Sequence, residues 1–207
     1  MPGKIISFEG IEGTGKSTQI QYLQAFLSSK NVDSLTIREP GNTYIGEQIR
    51  HLLQHDPNAH NMCAETELLL FEASRAQLVR ELILPTIYNN TWVICDRFFD
   101  SSTAYQGAAR QLSETIVQQL NRFTAGICVP DLTILLDIDV DLALQRLQGR
   151  KKDRIEGEST EFFRRVREKY LQLAEEEPTR FLIIDATLPL ETIAEKICTR
   201  VQKCFAL

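Results

Sequence analysis

A glycine-rich segment near the start of the chain carries the clearest chemical signature in the sequence. It reads Gly10-Ile11-Glu12-Gly13-Thr14-Gly15-Lys16-Ser17, is followed by Thr18, and fits the pattern G-x-x-x-x-G-K-[ST] at every position. The glycines let the backbone curl so that consecutive N–H groups point at phosphate oxygens. Lys16 can then reach the β- and γ-phosphates, while the Ser17 hydroxyl can coordinate Mg²⁺. Residues 10–18 are therefore predicted to bind a nucleoside triphosphate.

Charged residues also follow two later apolar runs, where a parallel sheet would bring them to one edge. Arg38 opens the segment Arg38-Glu39-Pro40-Gly41, and Asp96 is followed directly by Arg97. Asp96 suits a magnesium ligand, partly through water, and Arg97 suits a clamp on phosphate oxygens. Arg38 alone could instead simply end a strand at its edge. The pair Asp96-Arg97 is therefore the stronger candidate for a functional role.

Phe71 and Arg75 are spaced i,i+4 in a long helical pattern, so they share one helix face. By themselves they could be a core aromatic residue beside a surface charge. Their role in binding depends on whether that helix reaches the same edge of the sheet.

A basic segment interrupts an otherwise acidic chain near residue 150. Arg150, Lys151, Lys152 and Arg154 place four positive charges within five positions. A solvated loop is the ordinary interpretation of such a run. The phosphate loop has no arginine of its own, however, and the transition state of phosphoryl transfer concentrates negative charge. These facts favour a functional role, in which Arg150 and Arg154 bring positive charge to the phosphates and the segment excludes water if it closes over them.

Short apolar runs alternate with long amphipathic ones, and these elements must position the residues above. The predicted strands are 4–8, 34–38, 91–95, 132–137 and 180–185, and the predicted helices are 16–29, 43–55, 64–88, 112–124, 140–148, 159–176 and 189–204. Several strand runs are apolar at consecutive positions, as strands buried on both faces are. This order predicts an α/β fold with a parallel sheet covered on both sides. In such sheets ligands bind beyond the carboxyl ends of the strands.

The composition limits the class of protein. A chain of 207 residues with 43% hydrophobic and 25% charged residues predicts one globular domain over 1–207. Its net charge of −5 argues against a protein that coats nucleic acid, and no apolar run approaches the ~18 residues that span a membrane. The five scattered cysteines form no CxxC pair, which indicates a reducing, cytoplasmic location. The Asp-x-x-Gly and Asn-Lys-x-Asp motifs of GTPases do not occur, so a small-molecule kinase is favoured.

Taken together, these segments resemble thymidylate kinases. The resemblance rests on residues 10–17, Arg38-Glu39-Pro40-Gly41, Phe71 with Arg75, Asp96-Arg97-Phe98, and Ser102 with Tyr105-Gln106, in order over nearly the whole chain. It implies a nucleoside monophosphate kinase fold, with a five-stranded parallel sheet flanked by helices and a lid at about 148–157. Since the basic lid replaces a loop arginine, the chain looks like the bacterial type. The implied reaction is the ATP-dependent, Mg²⁺-assisted phosphorylation of dTMP to dTDP by a homodimer, for DNA precursor synthesis.

The resemblance also implies a role for each candidate residue. The catalytic cations would be Lys16, Arg97, Arg150 and Arg154. The dTMP-binding residues would be Glu12, Arg38, Phe71, Arg75, Arg97, Ser102, Tyr105 and Gln106. Among these, Phe71 would stack on thymine, Arg75 would donate to its O4 atom, and Tyr105 would exclude a 2′-hydroxyl. Arg38 and Arg97 would hold the acceptor phosphate, and Ser17 and Asp96 would hold Mg²⁺.

The sequence departs from the family pattern at Asn42, where glycine is more usual, and at Ser74, where aspartate is often found. Because asparagine tolerates the left-handed region, we expect the turn after Arg38 to persist. The partner of Arg75 is left open by Ser74. Another nucleoside or nucleotide kinase and a non-catalytic phosphate-loop regulator remain alternatives.

Overall fold

A parallel sheet of five strands forms the centre of the computed structural model, which describes residues 3–149 and 152–207. The strands are β1 (Ile5–Glu9), β2 (Ser34–Arg38), β3 (Trp92–Asp96), β4 (Leu132–Asp137) and β5 (Phe181–Asp185). Their spatial order is β2-β3-β1-β4-β5, so β1 lies in the middle with β3 and β4 on either side. The predicted parallel sheet is confirmed, and each strand lies within a residue of its predicted bounds.

Helices cover both faces of the sheet. They are α1 (Lys16–Ser29), α2 (Tyr44–Gln54), α3 (Ala64–Leu78), α4 (Leu84–Tyr88), α5 (Phe99–Ser102), α6 (Glu114–Ala125), α7 (Val140–Arg146), α8 (Thr160–Glu176) and α9 (Leu190–Phe205), with a short 3₁₀ turn at Ala59–Asn61. Side chains cap the N-termini of α2 and α8. Thr43 Oγ1 accepts from the Gly46 N–H at 2.9 Å, and Ser159 Oγ accepts from the Phe162 N–H at 3.1 Å.

The single helix predicted over 64–88 is interrupted by a π-helical turn at Val79–Ile83. The Leu84 N–H donates to Val79 O, five residues back, and Pro85 follows at once. Proline lacks an N–H for the α-helical bond, so a changed hydrogen-bond pattern before it is expected.

A second π-helical segment, Thr103–Ala109, extends α5 and was not predicted. At its end the Arg110 N–H donates to Tyr105 O at 2.9 Å, again five residues back. The sequence pattern predicts no element over residues 99–109. This region packs closely against α8, so tertiary contact stabilises a segment whose serines and threonine have modest helix propensity.

The core has two layers, one on each face of the sheet. Alternate strand residues point to opposite layers, so Ile6 and Ile94 pack with α1 and α8, whereas Ile5 and Val93 pack with α3 and α4. Strand β1 is buried along its whole length, as its consecutive apolar residues predict. No helix within the described parts of the chain is long and apolar enough to span a membrane.

The register of the sheet brings the strand ends together. Phe8 of β1 pairs with Asp96 of β3, and Asp96 in turn lies beside Arg38 of β2. The segments that follow these three strands therefore begin at one edge, which is where parallel sheets bind ligands.

Candidate active site

The phosphate loop connects β1 to α1, and its glycines have conformations that other residues adopt poorly. Gly10 has φ of 127°, and a Cβ there would lie 2.4 Å from Leu136 O. Gly13 has φ of 79°, and its Cβ would lie 2.8 Å from Ala143 O. The loop is thus held close against β4 and α7. This places the loop's N–H groups at the N-terminus of α1, an arrangement suited to binding an anion.

Lys16 is buried and lies across this loop. Its Nζ donates to Gly10 O at 3.1 Å and to Ile11 O at 3.0 Å. Burial, reinforced by the positive charge of Arg97, lowers the pKa of Lys16 from 10.5 to about 8. A phosphate oxygen would exchange two neutral carbonyl partners for a charged one, so Lys16 is suited to bind a triphosphate.

Ser17 and Asp96 bring two oxygen ligands together beside the loop. Ser17 Oγ donates to Asp96 Oδ2 at 3.4 Å, and both residues line the same cleft. Mg²⁺ prefers oxygen ligands and usually keeps waters and substrate phosphates in its coordination shell. One hydroxyl and one carboxylate are therefore a suitable protein contribution for that ion. The described residues contain no group of three carboxylate, histidine or cysteine ligands that would hold a metal unaided.

Arg97 lies at the centre of a second cluster. Its Nη2 donates to Glu12 Oε1 at 2.7 Å and to the Tyr105 hydroxyl at 3.1 Å, and its guanidinium stacks over the Tyr105 ring at 5.0 Å. The Tyr105 hydroxyl in turn donates to Glu12. Because burial raises the pKa of Tyr105 well above its ordinary value, this hydroxyl stays protonated. Glu12, Arg97 and Tyr105 are thus brought together as predicted.

The backbone at Arg97 is held in a left-handed conformation, with φ of 71°. The next N–H, that of Phe98, donates to Glu9 Oε1 at 2.7 Å, and Glu9 also accepts from the hydroxyls of Ser101 and Tyr170. These bonds hold the sharp turn after β3, a conformation that a non-glycine residue adopts only when its surroundings impose it. Burial, together with the charge of Asp100, raises the pKa of Glu9 to about 7.

Arg75 is almost completely buried, with 1% of its side chain exposed, and is surrounded by protein acceptors. Its Nε and Nη2 donate to Glu39, and Nη2 also donates to Ser102 Oγ at 2.9 Å. Its Nη1 donates to Glu72 and to Asn121 Oδ1. These contacts use all five N–H donors of the guanidinium. A thymine carbonyl oxygen could therefore bind Arg75 only by sharing or replacing one of them, and Ser102 is a neutral partner that lines the cavity.

The turn after β2 contains the two departures from the family pattern. Asn42 has φ of 65°, and its Oδ1 accepts from the Arg38 N–H, so the expected tolerance of asparagine is confirmed. Ser74 does not contact Arg75 through any hydrogen bond; its Oγ accepts from the Gly41 N–H at 3.3 Å. Ser74 thus stabilises the turn, and the charged partners of Arg75 are Glu39 and Glu72, for which the sequence predicted no such role. The Glu39-Pro40 peptide bond in this turn is cis.

Two cavities meet at this edge of the sheet. The larger, of about 440 Å³, is lined by the phosphate loop, Arg38, Asp96 and Arg97. The smaller is lined by the predicted base-binding residues Phe71, Arg75, Ser102, Tyr105 and Gln106. The residues that line both are Glu12, Glu39, Gln54, Arg97 and Asp153. A phosphate cleft and a smaller cavity lined by the predicted base-binding residues therefore adjoin at Glu12 and Arg97.

Of the predicted lid cations, Arg154 lies away from the phosphate loop. Its Nη2 donates to Glu67 Oε2 at 2.6 Å, and it does not line the phosphate cleft. Its neighbours Asp153 and Glu156 do line that cleft. Arg150, the other predicted lid cation, lies outside the described residues.

Several residues of the site were not predicted. Arg50 and Arg146 line the phosphate cleft, Arg50 donating to Pro40 O at 3.0 Å and Arg146 to Gly13 O at 3.3 Å. Arg50 and Gln54 are one turn apart on α2, a spacing that the sequence contains but that no motif marks. Arg38, which was predicted, is paired with Glu47 at 2.8 and 2.9 Å.

Comparison with known proteins gives a consistent result. A family model described as thymidylate kinase matches residues 8–197. A thymidylate kinase from Kosmotoga olearia is 48% identical over 201 residues, which cover 97% of this chain and 96% of that protein. One from Caldanaerobacter subterraneus subsp. tengcongensis is 43% identical, with 98% and 97% covered. The crystal structure of thymidylate kinase from Ehrlichia chaffeensis superposes with a TM-score of 0.78 at 31% identity, covering 98% of this chain and 99% of that one.

Proposed function

The chain belongs to the thymidylate kinase family, and we propose that it transfers the γ-phosphoryl group of ATP to dTMP across the junction of its two cavities. The observation that carries this proposal is the position of Arg97 and Glu12, which line both cavities. The triphosphate lies on the loop that contains Lys16, and the thymine lies between Phe71 and Arg75. The acceptor phosphate then faces the γ-phosphate at the junction.

The reaction needs positioning and charge neutralisation more than it needs a base. An oxygen of the dTMP phosphate attacks the γ-phosphorus, the bond from that phosphorus to the bridging oxygen breaks, and ADP leaves with the electron pair. A phosphate monoester has a second pKa of about 6, so the attacking group is already largely dianionic at neutral pH. Lys16, Arg97 and Arg38 face the phosphate cleft and neutralise the transferring group. Arg97 exchanges its Glu12 contact for the acceptor phosphate.

Mg²⁺ is the cofactor in this proposal, held by the Ser17 hydroxyl and, partly through water, by Asp96. When bound, it neutralises charge on the β- and γ-phosphates. The 3.4 Å contact between the two side chains supports the assignment, since both oxygens can turn to one ion. The lid at about 148–157 is part of the same kinase domain. Arg150 is its proposed cation at the phosphates, whereas Arg154, which the sequence predicts as a second one, is bound to Glu67.

The smaller cavity, which we call the acceptor cavity, supports selectivity for a deoxythymidine nucleotide. Tyr105 contacts Glu12 and Arg97 at the place where the sugar would lie, and its ring limits room for a 2′-hydroxyl. Gln106 is buried in the wall of this cavity and donates to Glu67 at 2.9 Å. Its contribution to dTMP binding therefore comes through the shape of the cavity.

The experiment that tests the function is a substrate panel in an assay coupled to ADP release. With ATP and Mg²⁺, dTMP should be turned over far faster than dCMP, dGMP, AMP or shikimate. Equal turnover of dCMP would contradict the specificity. Arg97→Ala should lose most of the activity while ATP still binds, and retained turnover would remove Arg97 from the proposed mechanism. Another nucleotide kinase or a non-catalytic regulator is not favoured, since the family match spans nearly the whole chain.

A homodimer is proposed from the exposed apolar residues of two adjacent helices. Leu69 of α3 is 56% exposed, and Ile116 and Phe123 of α6 are 54% and 76% exposed. Helices α3 and α6 pack against each other, so these exposed apolar side chains lie on neighbouring helices, and we propose that they contribute to the dimer interface. Sedimentation equilibrium should give twice the mass of one chain, and Phe123→Asp should reduce this value to the mass of a single chain.

The cytoplasmic location is proposed from the five cysteines, all of which are free thiols.

A further inference from the structure

Glu67 is a buried carboxylate that lines neither cavity. Its hydrogen bonds join the wall of the smaller cavity, at Gln106, to the segment that contains Arg154. It lies on α3 one turn before Phe71, with 1% of its side chain exposed. It accepts hydrogen bonds from Gln106 at 2.9 Å, from Arg110 at 2.9 and 3.1 Å, and from Arg154 at 2.6 Å. Burial acts to raise the pKa of Glu67, but the bonds from Arg110 and Gln106 outweigh it and lower the pKa below its ordinary value. The carboxylate is therefore ionised at neutral pH.

Arg154 is fixed at two further points. Its Nε donates to Leu53 O at 2.8 Å, and its backbone N–H donates to Gln54 O at 3.3 Å. These carbonyls belong to the last turn of α2, where a positive charge is favourable. Arg154 thus joins the end of α2 to the first half of α3.

Arg110 makes a second attachment close by. It bridges Glu67 and Glu158, which it contacts at 2.6 Å, and its guanidinium stacks on the Phe162 ring at 4.7 Å. We call residues 152–158 the lid stem. The lid stem is therefore attached to the acceptor side through Arg154 near its beginning and through Glu158 at its end.

The docking of Arg154 determines what the lid stem presents to the substrates. While Arg154 points to Glu67, the neighbouring Asp153 and Glu156 line the phosphate cleft. Asp153 also lines the acceptor cavity. The lid-stem residues that line both cavities are thus direct neighbours of Arg154, whose side chain is bound to Glu67.

We propose that Glu67 is a positioning residue for phosphoryl transfer, which docks the lid stem on α2 and α3 through Arg154. The proposal rests on the kinase function proposed above and deepens it. The effect of Arg154 on the reaction requires its ion pair with Glu67, so the two residues form one functional unit. Since Glu67 and Phe71 are on the same helix, the base cavity and the lid stem share one rigid support.

A double-mutant cycle tests whether the two residues act as a unit. Glu67→Gln and Arg154→Met should each lower kcat by about 10- to 100-fold, the range expected for loss of a charged hydrogen bond. The double variant should be no slower than the slower single one. If Arg154 is instead an independent transition-state cation, Arg154→Met alone should lose about 10³- to 10⁵-fold, with Glu67→Gln near wild type and the effects multiplying. That result would overturn the proposal.

Two readouts separate positioning from general damage to the fold. The ratio of dTMP-dependent turnover to dTMP-free ATP hydrolysis should fall in Glu67→Gln, because a misplaced lid stem excludes water poorly. Arg154→Lys should recover part of the lost kcat, since lysine keeps the charge at Glu67. Glu65→Gln is the matched control, because Glu65 is exposed on the same helix and loses the same charge. It should leave both quantities unchanged.

Limited proteolysis tests docking without reference to activity. Trypsin should cleave after Lys152 at least about tenfold faster in Glu67→Gln than in wild type or Glu65→Gln, since loss of the ion pair releases the lid stem. Unchanged cleavage would overturn the docking. If the wild-type protein fails to phosphorylate dTMP, the proposed function is lost, yet the proteolysis comparison still decides whether Glu67 docks the lid stem.

Discussion

The two halves of the active site differ in the groups that form them. We call the phosphate loop with Lys16 the donor half, and the cavity lined by Phe71, Arg75, Ser102 and Tyr105 the acceptor half. The donor half is made mostly of backbone, and the buried Lys16 donates its hydrogen bonds within the described residues to the carbonyl oxygens of Gly10 and Ile11. The acceptor half is made of side-chain ion pairs, with Arg75 held by Glu39 and Glu72. A cation with neutral partners can exchange them for the phosphate of a ligand. A cation that is bound by two carboxylates contributes instead to the stability of the fold. Mutations in the two halves should therefore separate activity from stability.

The largest effect is expected at Lys16. Lys16→Met removes the cation nearest the triphosphate, so kcat/KM should fall by about 10³- to 10⁵-fold, as for other single cations in phosphoryl transfer. The midpoint of thermal unfolding should stay close to that of wild type, because only two neutral hydrogen bonds are lost. Kinetics and differential scanning calorimetry on the same sample check both statements. A large loss of stability would contradict the statement that Lys16 serves ligand binding and not the stability of the fold.

The next effect is expected at Arg75 and lies mainly in stability. Arg75→Met leaves Glu39 and Glu72 buried without their partner, which should lower the free energy of unfolding by about 3–5 kcal/mol. Urea unfolding monitored by circular dichroism measures it. Met is close in length, so lost packing contributes little. An unfolding free energy within about 1 kcal/mol of wild type would show that the network is not structural.

A smaller effect is expected in the pH dependence of kcat/KM, which should differ between ATP and dTMP. Because the pKa of Lys16 in the free protein is about 8, below its ordinary 10.5, the cation is lost as pH rises through 8. The kcat/KM for ATP should then decline about tenfold per pH unit above that point. At saturating ATP the phosphates restore the proton on Lys16, so kcat/KM for dTMP should stay level over the same range. Two parallel profiles would contradict this assignment.

The smallest effect is expected at Ser74. Ser74→Ala removes one 3.3 Å hydrogen bond from the turn at Gly41 and leaves the partners of Arg75 in place. The free energy of unfolding should fall by about 1 kcal/mol or less. The KM for dTMP should change far less than in Arg75→Met. A dTMP defect as large as that of Arg75→Met would place Ser74 inside the ion-pair network.

The same contrast explains what could be predicted from the sequence. The strands and the phosphate loop are local patterns, in which apolar runs and glycine spacing determine the structure, and they were predicted closely. The partners of Arg75 come from the turn at Glu39, from Glu72 on α3, from Ser102 on α5 and from Asn121 on α6. Glu72 is spaced i,i+3 from Arg75, so this one contact could be read from the sequence, but the other partners depend on tertiary packing.

The unpredicted helical segment at 99–109 has a related cause. Ser101, Ser102 and Thr103 are weak helix formers, and the pattern of this stretch has no apolar face of ordinary period. Its π-helical turn forms where α8 covers it. The candidate residues Tyr105 and Gln106 could be named from their motif, but their orientation toward Glu12 and Glu67 depends on that turn.

The order of the strands has a consequence for how the molecule opens. The phosphate loop follows β1, which is buried and paired on both sides, whereas the turn at 38–42 follows β2, which is paired only with β3 at the edge of the sheet. Edge elements with one neighbour take part in the partial opening reactions of lowest free energy. Amide exchange should therefore be slowest along β1 and faster along β2. Thermal fluctuation would then open the turn at 38–42 first, and the nucleotide-binding loop would be the last part of the site to unfold.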